Sequence, residues 1–125
     1  MFNIHRARRE SSTAIVVESS FDAIRVHQSG YPNVIATLGG SMSRINLENI
    51  NRNFTRVIIM TDADQAGREL GITLANSLKN KEILWAAYSN DTIYPHDAKD
   101  VGDMTEEEIT TCIENALADY EYRML

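Results

Sequence analysis

The sequence predicts an α/β fold: a single three-layer domain with a four-stranded parallel sheet, expected in the order 2-1-3-4, and helices on both faces. Short apolar runs without polar alternation recur along the chain, as strands covered on both sides require. Segments with helical signals separate them, and strands alternating with helices give a parallel sheet with right-handed crossovers. At 125 residues the chain has room for one hydrophobic core and not for two ordinary domains.

Residues 1–12 carry His5, Arg6, Arg8 and Arg9 and read as a basic entering linker or a short solvated helix. The folded domain is expected over 13–125. Its first strand is 13–17 (Thr-Ala-Ile-Val-Val), which ends on Glu18. Ser19 then serves as N-cap of a helix reaching about Gln28, with Asp22 three positions on as in a capping box. Gly30 and Pro32 stop that helix.

The second strand, 34–37, leads into a small-residue turn that holds Gly39 and Gly40, whose backbone N–H groups could face a phosphate. A short helix follows over 44–51. The third strand, 57–61, runs straight into Asp62-Ala-Asp64, and a helix over 65–78 sets Leu70, Leu74 and Leu78 on one stripe. The fourth strand covers 82–88 and gives way to a polar loop, 89–103. Thr105 and Glu108 form a second capping box for a closing helix. Its Ile109, Cys112, Ile113, Ala116, Leu117 and Tyr120 recur at core-facing spacing.

Composition narrows the function classes. A net charge of −6 argues against a domain that grips nucleic acid mainly through a basic surface. No apolar run approaches the roughly 20 residues that cross a bilayer, and no signal region is visible, so a cytoplasmic protein without a membrane partner is expected. The single cysteine, Cys112, reads as a buried reduced thiol.

The acids carry the chemistry. Glu18 ends strand one and Asp62 ends strand three, and in the order 2-1-3-4 these strands are neighbours at the switch point where open α/β sheets bind ligands. Asp64 lies two residues beyond Asp62, and Asp22 one helical turn after Glu18. Three or four carboxylates within a few ångströms repel by about 4 kcal/mol per pair at 4 Å and an effective dielectric near 20. A divalent cation or raised carboxylate pKa values must offset that repulsion. Oxygen-only ligands without clustered His or Cys favour Mg²⁺, then Mn²⁺, an ion suited to phosphate chemistry. Lys99 offers a phosphate contact, and Asp100 and Asp103 can extend the metal site. Each acid also has a plainer reading: Asp22 as a capping-box residue, Asp64 as a helix N-cap, and residues 98–103 as a solvated loop.

Glu18 with Phe21-Asp-Ala-Ile24, followed by Asp62-Ala-Asp64 and Gly67, resembles the TOPRIM domain shared by bacterial-type DNA primases, type IA and II topoisomerases, OLD-family nucleases and RecR-like repair proteins. Ser19 stands where the family's first motif usually has glycine. The details look most like the bacterial and phage primase branch: Ala36-Thr-Leu-Gly-Gly-Ser41, Thr61-Asp-Ala-Asp-Gln-Ala-Gly-Arg68 and Lys99-Asp100 resemble its segments, with Asp103 one place later than the acid often seen there. The resemblance implies a TOPRIM-like fold with Glu18, Asp62 and Asp64 as catalytic and principal metal residues, supported by Asp22, Asp100 and Asp103. Lys99, Gly39, Gly40 and Arg68 are then the candidates for phosphate or nucleotide contact.

It further implies an Mg²⁺- or Mn²⁺-dependent nucleotidyltransferase that takes part in RNA primer synthesis during DNA replication. Single-stranded DNA template and nucleotides would be reached through N-terminal subdomains that this chain lacks, with a replicative helicase as a further candidate partner. On this reading the chain is a fragment inactive alone. Two alternatives stay open: a small stand-alone TOPRIM metal-dependent nuclease, and a non-catalytic RecR-like scaffold.

Overall fold

The computed structural model describes residues 2–38 and 43–125. Its helices are α1 (Ile4–Glu10), α2 (Ser20–Gln28), α3 (Arg44–Asn53), α4 (Gln65–Ser77), α5 (Glu106–Glu114) and α6 (Asp119–Arg123). Its strands are β1 (Thr13–Val17), β2 (Val34–Ala36), β3 (Arg56–Ile59), β4 (Glu82–Trp85) and β5 (Leu117–Ala118). The sheet order is β2-β1-β3-β4-β5. The expected order 2-1-3-4 therefore holds for the four parallel strands, and an antiparallel fifth strand is added beyond them.

Period-two alternation sorts the strand residues between two cores. Ala14, Val16, Val57, Ile59 and Trp85 face one layer, together with Ile50 and Phe54 from the α3 end and Leu74, Ala75 and Leu78 from the α4 end. Ile15, Val17, Ile58, Met60 and Ala86 face the other, with Ala23 and Val26 of α2 and Ile109, Cys112 and Ile113 of α5. Cys112 is fully buried, as its apolar helix position predicts, and burial pushes its thiol up to about 12.

Two expectations need correction. Residues 1–12, expected as an entering linker or a short solvated helix, include the short helix α1 with its arginines exposed, but it packs on the folded unit. Ile4 and Ala7 enter the first core, and Phe2 exchanges both backbone hydrogen bonds with Ala36 on the outer edge of β2. The alternation of buried Ile4 and Ala7 with exposed arginines is too short to register as a periodic face in sequence.

The closing helix also ends early, at Glu114. Asn115 caps it, Leu117–Ala118 pairs with β4, and Tyr120 is exposed while Tyr122 is buried. The cause lies on β4, whose outer edge would otherwise present unpaired backbone groups. Leu117 and Ala118 cover that edge opposite Trp85 and Leu84. Tyr122 then stacks on Trp85 at 3.9 Å between ring centroids, and the Trp85 indole N–H donates to Asp119 at 2.7 Å.

Candidate functional site

The parallel register brings the carboxyl ends of β1 and β3 together, with Val16 opposite Ile59, so Glu18 and Asp62 emerge side by side. The Asp62 backbone N–H donates to Glu18 Oε2 at 2.6 Å. Ser19 caps α2 by accepting from the Asp22 N–H at 3.1 Å, which turns Asp22 inward until it is 8 % exposed. Asp64 caps α4 by accepting from the Gly67 N–H at 2.7 Å. The plainer reading of Asp64 as N-cap is thus correct for one oxygen, and Oδ2 remains, 3.8 Å from Lys99 Nζ.

Electrostatics show which acids share the site. Burial, then Glu18, Asp22, Asp100 and Asp64 in that order, push the Asp62 carboxyl up from 3.8 to about 7. Asp22 is also raised, chiefly by burial and then by Asp100 and Glu18, with hydrogen bonding from Ser19 in partial opposition. Five acids therefore converge: Glu18, Asp22, Asp62, Asp64 and Asp100. Asp103 is not among the acids that raise Asp62 or Asp22, and its Oδ2 accepts from the Lys99 N–H at 3.1 Å.

The remaining candidates have other partners. Lys99 leans toward Asp64, and the Arg68 guanidinium sits over the Tyr122 ring, 5.1 Å from its centroid. Gly39 and Gly40 lie outside the described residues. His96, in the same loop, faces Glu108 at 3.1 Å.

Three contacts that sequence reasoning did not anticipate hold the acidic stretch in place. The buried Tyr94 hydroxyl donates to the Thr61 carbonyl at 2.6 Å. The Ala63 N–H donates to the Lys99 carbonyl at 2.6 Å. Arg25 of α2 donates to the Met104 carbonyl and so ties the same loop to the helix that carries Asp22. Tyr94 carried a weak signal, an aromatic between Ile93 and Pro95 in an otherwise polar loop.

Gly67 completes the arrangement. A Cβ there would stand 2.2 Å from the Asp62 carbonyl oxygen, so only glycine lets the first turn of α4 approach the strand end this closely.

Among the described residues, no three His, Cys, Asp or Glu side chains already stand in metal-ligating geometry. Glu18 and Asp64 each spend one oxygen on a backbone N–H, and each keeps another. The donors are all hard oxygens, and burial together with four neighbouring carboxylates raises the Asp62 carboxyl, with Lys99 beside Asp64 as the nearby cation. That chemistry fits a hard divalent cation.

A parallel sheet in this order, with carboxylates gathered beyond the carboxyl ends of β1 and β3, defines an α/β domain of the class that binds ligands at its switch point. The sequence signature of the Toprim domain matches residues 12–85. The chain belongs to the Toprim domain family, on its DNA primase branch.

It is 32 % identical over 117 residues to a DNA primase of Clostridium acetobutylicum, a match that covers 90 % of this chain and 19 % of that protein. The fold is similar to that of the Aquifex aeolicus primase zinc-binding and RNA polymerase domains: TM-score 0.78, 24 % identity, covering 97 % of this chain and 30 % of the other. It is also similar to the RNA polymerase domain of a Mycobacterium tuberculosis primase in complex with a double-stranded DNA oligomer bearing a 6-nucleotide overhang: TM-score 0.73, 19 % identity, covering 97 % and 40 %. The chain thus spans about a fifth of the curated relative's length. No helix among the described residues is long and apolar enough to cross a membrane.

Proposed function

We propose that this chain is the Mg²⁺- or Mn²⁺-dependent catalytic Toprim domain of a cytoplasmic DNA primase, acting in nucleotidyl transfer to a growing RNA primer. The observation that carries the reading is the meeting of Glu18, Asp62 and Asp64 at the ends of β1 and β3, with Asp22 and Asp100 close enough to raise the Asp62 carboxyl. Glu18, Asp62 and Asp64 would hold the cation, and Asp22 and Asp100 would support them. The bound ion would supply Lewis-acid activation of the attacking oxygen and charge neutralisation at the transferring phosphate.

The chain's own residues do the rest. Asp62, whose carboxyl is raised to about 7 without a cation, would have to be deprotonated to serve as a ligand. Tyr94 and the Lys99 carbonyl hold the Thr61–Ala63 backbone in place. Lys99, exposed beside Asp64, is the phosphate contact nearest the acids. Template and nucleotide selection would reside in other parts of a primase, and the relative seen with an overhanging DNA supports DNA as the template.

The test is a chimera in which this chain replaces the matching segment of the Clostridium acetobutylicum primase. Primer synthesis from labelled ribonucleotides on a single-stranded template is expected, with loss in the Asp62→Asn/Asp64→Asn variant. A folded, metal-binding chimera that makes no primer would overturn the primase reading. Cleavage of single-stranded DNA or RNA by the isolated chain would support the stand-alone nuclease in its place.

A further inference from the structure

Acids outnumber bases by 18 to 12 in this chain, so an exposed arginine or lysine has abundant carboxylates to pair with. Arg8, Arg9, Arg52 and Lys79 are nevertheless exposed and without an ion pair among the described residues. They are brought to one place by topology. Helices α1, α3 and α4 pack on the same sheet face, and each runs antiparallel to the strand that follows it, so all three end at the amino edge of the sheet.

Hydrogen bonds bind these ends together. The Thr55 and Arg56 amides donate to the Ser12 carbonyl at 2.8 and 3.3 Å, the Lys81 ammonium donates to the Asn51 carbonyl at 2.8 Å, and the Glu82 amide donates to the Thr55 carbonyl at 3.1 Å. Of the acids near these helix ends, Glu82 is already paired with Arg56, and Glu48, one turn before Arg52, is paired with Arg44. Favourable interaction with a helix C-terminus can place each cation singly. It does not gather them, and here they stand together on the edge opposite the acidic site.

We infer that this basic edge is a second nucleic-acid contact, taking the sugar-phosphate backbone of DNA or RNA through Arg8, Arg9, Arg52, Lys79 and Lys81, away from the metal site. Helix axes packed about 10 Å apart spread the three ends over roughly 20 Å. Along the axis of a duplex that is about six charges of one strand, which recur every roughly 3.4 Å. The guanidiniums suit phosphate because each presents a planar fork of donors. Contacts of this kind hold a strand without reading its sequence. The inference goes beyond the primase reading and does not depend on the metal.

The test is fluorescence anisotropy of a dye-labelled 20-nucleotide single strand, and of the corresponding duplex, in low salt with EDTA present. Salt-sensitive binding is expected, the two probes separating a template from a duplex product. Arg8→Glu/Arg9→Glu/Arg52→Glu should weaken it at least tenfold and flatten the logarithmic salt slope by about 2, from about 0.7 per lost phosphate contact. Arg8→Gln/Arg9→Gln/Arg52→Gln should fall between, which guards against a folding defect in the charge-reversed protein. Asp62→Asn/Asp64→Asn should bind at least as well as wild type.

Equal binding by the charge-reversed variant, or no salt-sensitive binding by wild type, would overturn the inference. So would sedimentation with phosphatidylserine vesicles in place of DNA binding. A metal-induced rise in melting temperature, measured on the same basic-edge variants, should survive, so failure here and failure of the metal site are told apart.

Discussion

Glu18 accepts a hydrogen bond from the backbone N–H of Asp62 at 2.6 Å, which makes the residue just past one strand hold the first acid beyond its neighbour. The same carboxylate also raises the Asp62 carboxyl, so it supports the backbone and repels the side chain at once. Glu18→Gln keeps an acceptor and removes the charge. It should leave the metal-free melting temperature equal or higher while weakening Mn²⁺ binding at least tenfold. Glu18→Ala leaves the N–H without its partner and should cost about 1 to 2 kcal/mol in metal-free urea unfolding.

The raised Asp62 carboxyl also fixes a pH dependence. Its folded value, about 7, exceeds the ordinary 3.8, so between those values the folded protein binds more protons than the unfolded chain. Stability must then fall as pH rises through that window. Asp22 is shifted in the same direction. From pH 5 to 8 in EDTA, wild type should lose roughly 1 to 2 kcal/mol relative to Asp62→Asn, after discounting for solvent screening of a partly exposed group.

Saturating Mn²⁺ should reverse the trend, because ligation needs the deprotonated acid, and at a hundred times Kd it adds about 2.7 kcal/mol. Asp62→Asn/Asp64→Asn should abolish the metal-induced shift and stabilise the metal-free form. Parallel pH profiles for wild type and Asp62→Asn would refute the repulsive pocket.

Much of this pocket was legible in the sequence because its parts are tied to regular elements. Apolar runs locate strands, and a charged residue closing such a run, as Glu18 does, lies at a sheet edge by necessity. The N-cap roles of Ser19, Asp64 and Thr105 follow from spacing and were found where expected. What escaped depends on contacts remote in sequence. β5 exists because the β4 edge needs covering, and Tyr122 is buried because Trp85, 37 positions earlier, offers a ring to stack on.

Tyr94 is the residue of this kind with the most direct bearing on the site. Its hydroxyl is fully buried and reaches the Thr61 carbonyl, 33 positions away. Tyr94→Phe fills the same space and leaves that carbonyl unsatisfied, at a cost of about 1 to 2 kcal/mol. If the bond positions the acidic stretch, Mn²⁺ affinity should also drop several-fold, read by titration of Mn²⁺ paramagnetic resonance. Ile109→Val, in the same core, should cost about as much stability and leave affinity unchanged. Equal affinities for Tyr94→Phe and wild type would reduce Tyr94 to a packing residue.

Two glycines of α4 allow the same separation of packing from function within one helix. A Cβ on Gly71 would lie 2.4 Å from the Trp85 ring, inside the first core. Gly71→Ala should therefore destabilise by about 1 to 3 kcal/mol through overpacking, opposed by up to about 1 kcal/mol of gained helix propensity. The strain falls on Trp85 and Ile59, so Mn²⁺ affinity should change little. At Gly67 the added methyl meets the Asp62 backbone, its carbonyl oxygen at 2.2 Å, and neither a strand end nor a capped helix start can swing aside as a side-chain tip would. Gly67→Ala should displace Asp62 relative to Glu18 and Asp64, lowering both stability and Mn²⁺ affinity. Urea unfolding and metal titration on the two variants decide the matter: affinity lost at Gly67 and kept at Gly71 means that the close approach of α4 to the β3 end serves the metal site, and equal losses mean that it serves packing alone.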